Sequence, residues 1–422
     1  MKKIARYLSF LLLCLALFSL TGCANIEKPD IEEVITGKLD LLKNLDTATT
    51  QKYISYKELF PDAAKTSSIP TEVEEVFSLF FKDFDYKILS LDVEEETATA
   101  NIRLQTIDAQ TLAKDFAAAR LKQYITAAAD SQNTNENAND SLEAHYLLLN
   151  KILKNKDYPT VENTCTMHLI NNNDAWYIKS DLTLENELVG GFISYLADTS
   201  LLSAKDAADI YFDTIKNMDE DQFSNYLGLN EALDTEDPAK KDLAEALLAQ
   251  VHDHFDYQIQ NAKDDGFTAN VDVELTTLDA KKVLANYETK LDAYLATPEA
   301  VIDGADGRTD KSQELLLEEV QNSTDTMTVN AQVQLVNDGV TWKLQLDPAI
   351  GSALFGNLTN VPAPSDPDTK DVGSTDEAST DEDSSRDSND SESVASSEED
   401  SGDFSPEDEG SEDENTDNWD NE

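Results

Sequence analysis

Cysteine is nearly absent, with three among 422 residues, which excludes a disulfide-stapled scaffold. Basic residues are scarce too: 32 Lys and Arg stand against 85 Asp and Glu, a formal net charge of -53. A nucleic-acid partner is therefore not expected, because phosphate binding needs clustered cations. Histidine occurs four times, and the Walker loop, GxGxxG, GxSxG and HExxH strings are missing, so the usual signatures of nucleotide, hydrolase and zinc-protease chemistry are not there. The longest early apolar stretch, Tyr7 to Leu20, is shorter than the roughly 20 residues a spanning helix needs.

That stretch follows Lys2, Lys3 and Arg6 and ends in small residues, the three-part layout of a secretory signal. Its last residues, Leu20-Thr21-Gly22-Cys23, resemble the lipobox of bacterial lipoproteins. The resemblance implies a signal peptide over 1–22, acylation of Cys23 by chains such as palmitate, and a lipidated linker over 23–30. Buried methylenes contribute about 0.8 kcal/mol each, so two or more chains anchor stably. The expected location is the cell membrane, lipid-anchored on its extracytoplasmic face, and the resemblance points to a Gram-positive surface. An ordinary cleaved signal beside a free thiol is the alternative. With Cys14 cleaved away and Cys23 acylated, Cys165 is the remaining thiol.

At the other end, Val361 to Glu422 holds 24 acidic residues and only Lys370 and Arg386 as bases. So few apolar residues cannot offset the entropy of ordering, and 359–422 reads as a disordered acidic tail.

Between these ends the chain repeats itself. "FDYKILS" at Phe84 returns as "FDYQIQN" at Phe255, and "NIRLQTIDA" at Asn101 as "DVELTTLDA" at Asp272, both 171 residues on. "KNLDTATTQKYI" at Lys43 matches "KNMDEDQFSNYL" at Lys216 with an offset of 173. "LINNNDAWYIKSDL" at Leu169 matches "LVNDGVTWKLQLDP" at Leu335 with an offset of 166. Offsets that change only between blocks are those of two domain copies with different loops, placed here at 31–199 and 200–358.

In each copy, apolar residues at helical spacing (Ile31, Val34, Ile35, Leu42, Leu45; Ala207, Ile210, Tyr211, Ile215, Met218) predict a first helix. Asp46 and Asp219 should cap a second. A third should open at Thr71 with Glu74 in capping-box spacing, or after Asp237-Pro238. Phe84, Tyr86 and Ile88 share one face of a first strand, and a second strand ends at Asp108 or Asp279, each capping a helix. "SQNTNENAND" and "VIDGADGRTD" read as polar loops before another helix. Two strands follow, and Asn337-Asp338-Gly339 marks a hairpin between them. Helices segregated on one face of a curved, mostly antiparallel sheet make an α+β domain. This order, with the "FDY", "TIDA" and "TLDA" blocks, resembles the NTF2-like or cystatin-like cone of uncharacterised bacterial surface lipoproteins; a different helix-plus-sheet repeat is the alternative.

The copies also test candidate chemistry against each other. Cys165 falls opposite Ala331 and alternates with Met167 and Leu169, which fits a core residue better than a nucleophile. His252 and His254 have no histidine counterparts, His168 faces outward and His145 lies on a helix surface, so no metal site is expected. Some NTF2-like enzymes use an Asp base with a Tyr donor. Here Asp85-Tyr86 and Asp256-Tyr257 recur, but strand alternation turns acid and phenol apart. "DGADGRTDKSQE" lacks oxygen ligands at Ala305 and Gly307 and fails as a calcium loop. The expectation is a non-enzymatic binding or interaction module without cofactor. It would engage the membrane through the Cys23 lipid, and a protein partner or small ligand elsewhere. Trp176, Trp342, Tyr86 and Tyr257 are the candidates to line a pocket. The alternatives are a small-ligand sensor or transport accessory using the cones, and an isomerase- or dehydratase-type enzyme.

Overall fold

A computed structural model describes residues 31–60, 68–130, 141–173, 175–229, 235–346 and 348–356. Cys23 with its signal, the "SQNTNENAND" segment and the acidic tail lie outside them. The described residues all belong to one unit, Met1–Gly373, and a second unit, Ser374–Glu422, lies beyond them.

Copy 1 runs α1 (Ile31–Lys43), α2 (Thr47–Tyr53), α3 (Tyr56–Leu59), α4 (Thr71–Phe80), β1 (Asp85–Val93), β2 (Thr97–Ile107), α5 (Ala109–Ala129), α6 (Leu142–Asn155), β3 (Thr160–Asn172), β4 (Ala175–Ile178), α7 (Leu182–Leu188) and α8 (Phe192–Ala197). Copy 2 runs α9 (Ala204–Lys216), α10 (Glu220–Leu227), α11 (Pro238–His254), β5 (Asp256–Asp264), β6 (Thr268–Leu278), α12 (Ala280–Leu295), α13 (Pro298–Ile302), α14 (Gly304–Asn322), β7 (Thr326–Asn337), β8 (Trp342–Gln345) and α15 (Pro348–Leu354).

Each copy holds one four-stranded antiparallel meander, β1-β2-β3-β4 or β5-β6-β7-β8, and the fold is α+β in two tandem units. The registers superpose at the offsets read from sequence. Asp85 pairs with Gln105 and Asp256 with Thr276, while a bulge interrupts both ladders, at Ile88/Ser90 and Ile259/Asn261. Bulges of this kind twist an edge strand away from further pairing. Thr97 pairs with Ile170, and Thr268 with Val336.

One face of each sheet forms the core. In copy 1 Ala98, Ala100 and Ile102 lie across from Leu169, Met167 and Cys165, all buried; in copy 2 Ala269 and Val271 lie across from Leu335 and Val333. Cys165 is thus a core residue, and burial pushes its thiol up to about 12.

Helix starts follow the aspartates. Asp46, Asp108, Asp219, Asp237 and Asp279 each accept backbone N–H bonds at an N-cap, and Asp219 forms a full capping box with Gln222. Thr71 does not. Pro70 occupies the N-cap of α4 without a side-chain bond. Glu74 turns inward and accepts a hydrogen bond from Gln51 Nε2 at 2.9 Å, so the expected capping box is replaced by a tertiary contact. "VIDGADGRTD" is not a loop either. Thr297 caps α13 with Pro298 behind it, and α14 restarts at Gly304, whose φ of +66° turns the chain between the two helices.

The helices after the last strands repeat as well, because α7 and α15 stand 166 residues apart. Each lies along the part of β3 or β7 that the short fourth strand leaves open. Glu187 Oε2 accepts the Thr166 N–H of β3 at 3.2 Å, and Thr277 donates to the Leu354 carbonyl of α15. Each ends at a left-handed glycine, Gly190 (φ +63°) or Gly356 (φ +60°). A Cβ there would meet Thr106 Oγ1 at 2.6 Å or the Leu278 carbonyl oxygen at 2.9 Å.

The insertion helices differ between copies. Leu121, Ile125 and Ala129 of α5 belong to the apolar cluster of copy 2, beside Ala207, Ala208 and Tyr211 of α9. Lys114 and Lys122 of α5 pair with Asp206 and Asp213 at 2.9 and 3.2 Å. Helix α5 therefore joins the two copies. In copy 2 the corresponding helix closes on its own neighbour: Tyr287, Leu291 and Leu295 of α12 cluster with Leu315 of α14, and Tyr287 Oη lies 2.6 Å from Ser312 Oγ.

Candidate functional site

The four aromatic residues named as pocket candidates separate. Trp342 is 3 % exposed, and its indole N–H donates to the Leu202 carbonyl at 3.0 Å. It is a core residue seating the start of copy 2, not a pocket wall, because its one polar atom already has a backbone partner. Trp176 is half-buried and packs against the copy 1 core. Tyr86 Oη donates to Asp40 Oδ1 at 2.8 Å, and Tyr257 Oη to Asp209 Oδ1 at 3.0 Å. Burial, then these carboxylates, raise both phenols, Tyr86 to about 12. Asp85 and Asp256 turn away from the tyrosines to Lys43 and Lys216 at 2.7 and 2.8 Å. Those lysines hold both carboxyls below the usual carboxylate range.

Tyr257 lines an open cleft of about 540 Å³ between α9 and β5, with Asp206, Asp209, Asp213 and Asp256 around it. Every one of these acids already has a partner: Lys114 for Asp206, the tyrosine for Asp209, Lys122 for Asp213 and Lys216 for Asp256.

The histidines do not gather. His252 donates Nε2–H to the Met218 carbonyl and His254 donates Nδ1–H to the Gln250 carbonyl, both at 2.8 Å. His145 packs edge-on to Phe116, and His168 meets Thr99 on the outer face of the sheet. No group of three metal-ligating side chains occurs among the described residues.

The larger opening lies between α5 and α6. It spans about 680 Å³ and is lined by Ala118, Ala119, Leu148 and Ile152 among others, with Gln222 of copy 2 also in its lining. Lys122, Lys151 and Lys156 stand around it together with Asp115 and Asp130. Lys156 Nζ and Tyr158 Oη both reach Asp115 Oδ2 at 2.5 Å and fix one end. Burial and the Asp115 carboxylate push the Tyr158 phenol up. Lys122 is shared with Asp213, whereas Lys151 has no partner among the described residues.

The groove exists because α5 faces two ways. Leu121 and Ile125 belong to the copy 2 cluster and Phe116 packs on His145 of α6, while Ala118 and Ala119 line the opening. The volume suits a bound segment or small molecule, and the apolar floor with polar ends is what a binding site needs rather than a proton-transfer site. Sequence reasoning missed it; the available signal was "AAAR" at Ala117 to Arg120, a run of small residues inside a long helix.

No family model matches the chain, and no curated protein sequence matches it. Among solved structures, the crystal structure of a Bacillus subtilis protein named as a lipoprotein, ycdA, aligns with 64% of this chain and 95% of that one, at 11% identity and a TM-score of 0.23. That similarity is too low to carry fold or function across.

Proposed function

We propose that the protein is a lipid-anchored extracytoplasmic binding module, held at the membrane through Cys23 and offering the α5–α6 groove to a partner. The observation that carries the reading is Leu20-Thr21-Gly22-Cys23 behind a basic head and an apolar run too short to span. Two NTF2-like or cystatin-like domains present the binding surface at a Gram-positive cell surface.

The geometry supports binding over catalysis. The buried Cys165 thiol is pushed up to about 12, the opposite of an activated nucleophile. The recurring Asp-Tyr pairs are directed at separate partners, so acid and phenol do not converge on one point where a substrate atom could sit.

Expression in a bacterial host fed an alkyne analogue of palmitate tests the anchor. Wild-type chain should be labelled and sediment with membranes, and Cys23→Ala should lose both properties. Unlabelled wild-type chain, or labelled Cys23→Ala, ends the lipoprotein reading.

A further inference from the structure

We infer that the outward face of α1 is a docking site for a basic amphipathic helix of a partner protein, a second surface that deepens the binding-module reading and rests on it. The repeat itself displays what this face holds.

In copy 2 the equivalent face is occupied. Helix α9, 173 residues on from α1, packs against α5. Asp206 and Asp213, two turns apart, meet Lys114 and Lys122 of α5, while Ala207, Ala208 and Tyr211 share an apolar cluster with Leu121 and Ile125. An acid-edged apolar stripe on the first helix of a copy thus receives a helix that carries lysines.

Copy 1 has the stripe and the acids without the helix. Glu33 and Asp40 stand where copy 2 has Asp206 and Asp213; both are exposed, and neither makes an ion pair among the described residues. Beside them run Val34, Gly37 and Leu41, at the i, i+3 and i+7 spacing of one helix side. Val34 and Leu41 are half-buried, whereas Ala207 and Thr214 at the same positions of copy 2 are buried. That difference matches the cover α5 gives α9. Helix α1 packs chiefly on β4, and no helix lies along it in this way among the described residues. Lys38 sits at the opposite margin of the stripe, toward the buried Ile31, Ile35 and Leu42, so the acids border the stripe on their own side.

Gly37 adds a steric argument. A glycine inside a helix weakens it, yet this one is exposed, and a Cβ there would meet no atom within 4 Å. A second helix brought to the separation of about 8 to 10 Å between packed axes gives such a residue its use.

Charge selects the kind of helix. A net charge of -53 steers basic segments toward the chain, and Lys or Arg two turns apart would reproduce on Glu33 and Asp40 the pairs that α5 makes on α9. A second copy of the chain does not offer this helix. Its α5 is engaged with α9, and the α12 residues equivalent to Lys114, Leu121 and Lys122 are Ala285, Asp292 and Ala293.

The test is selection of a displayed library of helical peptides on the full mature chain, Cys23 to Glu422, followed by affinity measurements of the best peptide against variants. Enriched peptides should combine apolar residues spaced by three and four with Lys or Arg two turns apart. Glu33→Lys and Gly37→Gln should each weaken binding at least tenfold without lowering the thermal midpoint, because the first site is exposed and the second gains a better helix former in open space. Changing the facing peptide lysine to Glu should restore affinity for the Glu33→Lys chain. Ile152→Asp, in the α5–α6 opening, should leave binding unchanged. Absence of enrichment, enrichment of acidic peptides, or binding indifferent to Glu33→Lys and Gly37→Gln overturns the proposal. Binding lost on Ile152→Asp instead would move the partner to the α5–α6 opening and overturn α1 as the site. Self-association of the mature chain that Gly37→Gln abolishes, without peptide enrichment, would make α1 an interface between copies and overturn the partner helix. None of these outcomes bears on acylation of Cys23, so the anchor is judged by its own experiment.

Discussion

Leu121 of α5 and Asp292 of α12 occupy the same repeat position, 171 residues apart, and have opposite surroundings. Leu121 is buried in the core of copy 2, and Asp292 is exposed. Ile125 and Ala296 differ in the same way. At these two positions the face that copy 1 uses to hold copy 2 is polar or small in copy 2. Repeat arrays end on a unit with a polar outer face. The two copies thus differ in what their insertion helices pack against.

Exchanging these positions should break the comparison most sharply. Leu121→Asp places an unpaired charge in the shared core and should destabilise by more than about 3 kcal/mol. Hydrogen exchange should show β6 losing protection before β2, because the side chain belongs to the cluster of copy 2. Asp292→Leu, at the exposed counterpart, should shift stability by no more than about 0.5 kcal/mol. Equal effects would mean that α5 does not join the copies.

The tryptophans come next. Trp342→Ala removes a buried ring and its bond to Leu202, and should cost about 3 to 5 kcal/mol. Trp176→Ala, at a half-buried position, should cost clearly less. Chemical denaturation of the two variants separates them. A Trp342→Ala chain of wild-type stability would restore the pocket-wall role that the structure removes.

Much of this architecture was legible because the repeat is written in registered blocks. The offsets 171 and 166 are those of the observed ladders and 173 that of the first helix caps, and the capping aspartates are where local chemistry demands them, since an N-cap depends on only three or four neighbours. The unread parts depend on longer-range choices. Helix α5 lacks a single apolar stripe because it is buried on two sides: Leu112, Ala113 and Phe116 face copy 1, while Leu121, Ile125 and Ala129 face copy 2. Periodicity cannot announce a helix shared between two cores. The Thr71–Glu74 spacing allows a capping box, but the tertiary bond from Gln51 to Glu74 prevails. The α7 and α15 helices follow strands of only four residues, and their shared signal was the glycine pair Gly190 and Gly356.

That pair gives the third test. Gly190→Ala and Gly356→Ala both force a Cβ into a left-handed backbone against Thr106 or the Leu278 carbonyl. Each should cost about 1 to 2 kcal/mol or somewhat more, the strain of such a position with a clash added. Similar losses in thermal melts would show that the two edge-closing helices are one device used twice; a loss in one copy alone would separate them.

The smallest effect concerns a charge that only copy 1 buries. Glu185 is 1 % exposed on α7; its Oε1 accepts from Ser180 Oγ at 3.0 Å while Oε2 has no hydrogen-bond partner among the described residues. Its repeat counterpart is Gly351. Burial, partly opposed by the Ser180 bond, holds the carboxyl above the usual glutamate range. A raised carboxyl binds its proton more tightly in the folded chain than in the unfolded one. Its favourable contribution is therefore fully present below the unfolded pKa of about 4.3 and is lost as pH rises through the folded value. At pH 7 copy 1 carries that penalty and copy 2 does not. Glu185→Gln should raise stability by about 1 kcal/mol at pH 7, and the gain should shrink toward zero near pH 4. Denaturant midpoints of both chains across that range check it. A gain constant with pH would assign the effect to packing, and a loss at pH 7 would mean that the ionised carboxylate has a stabilising partner at Oε2.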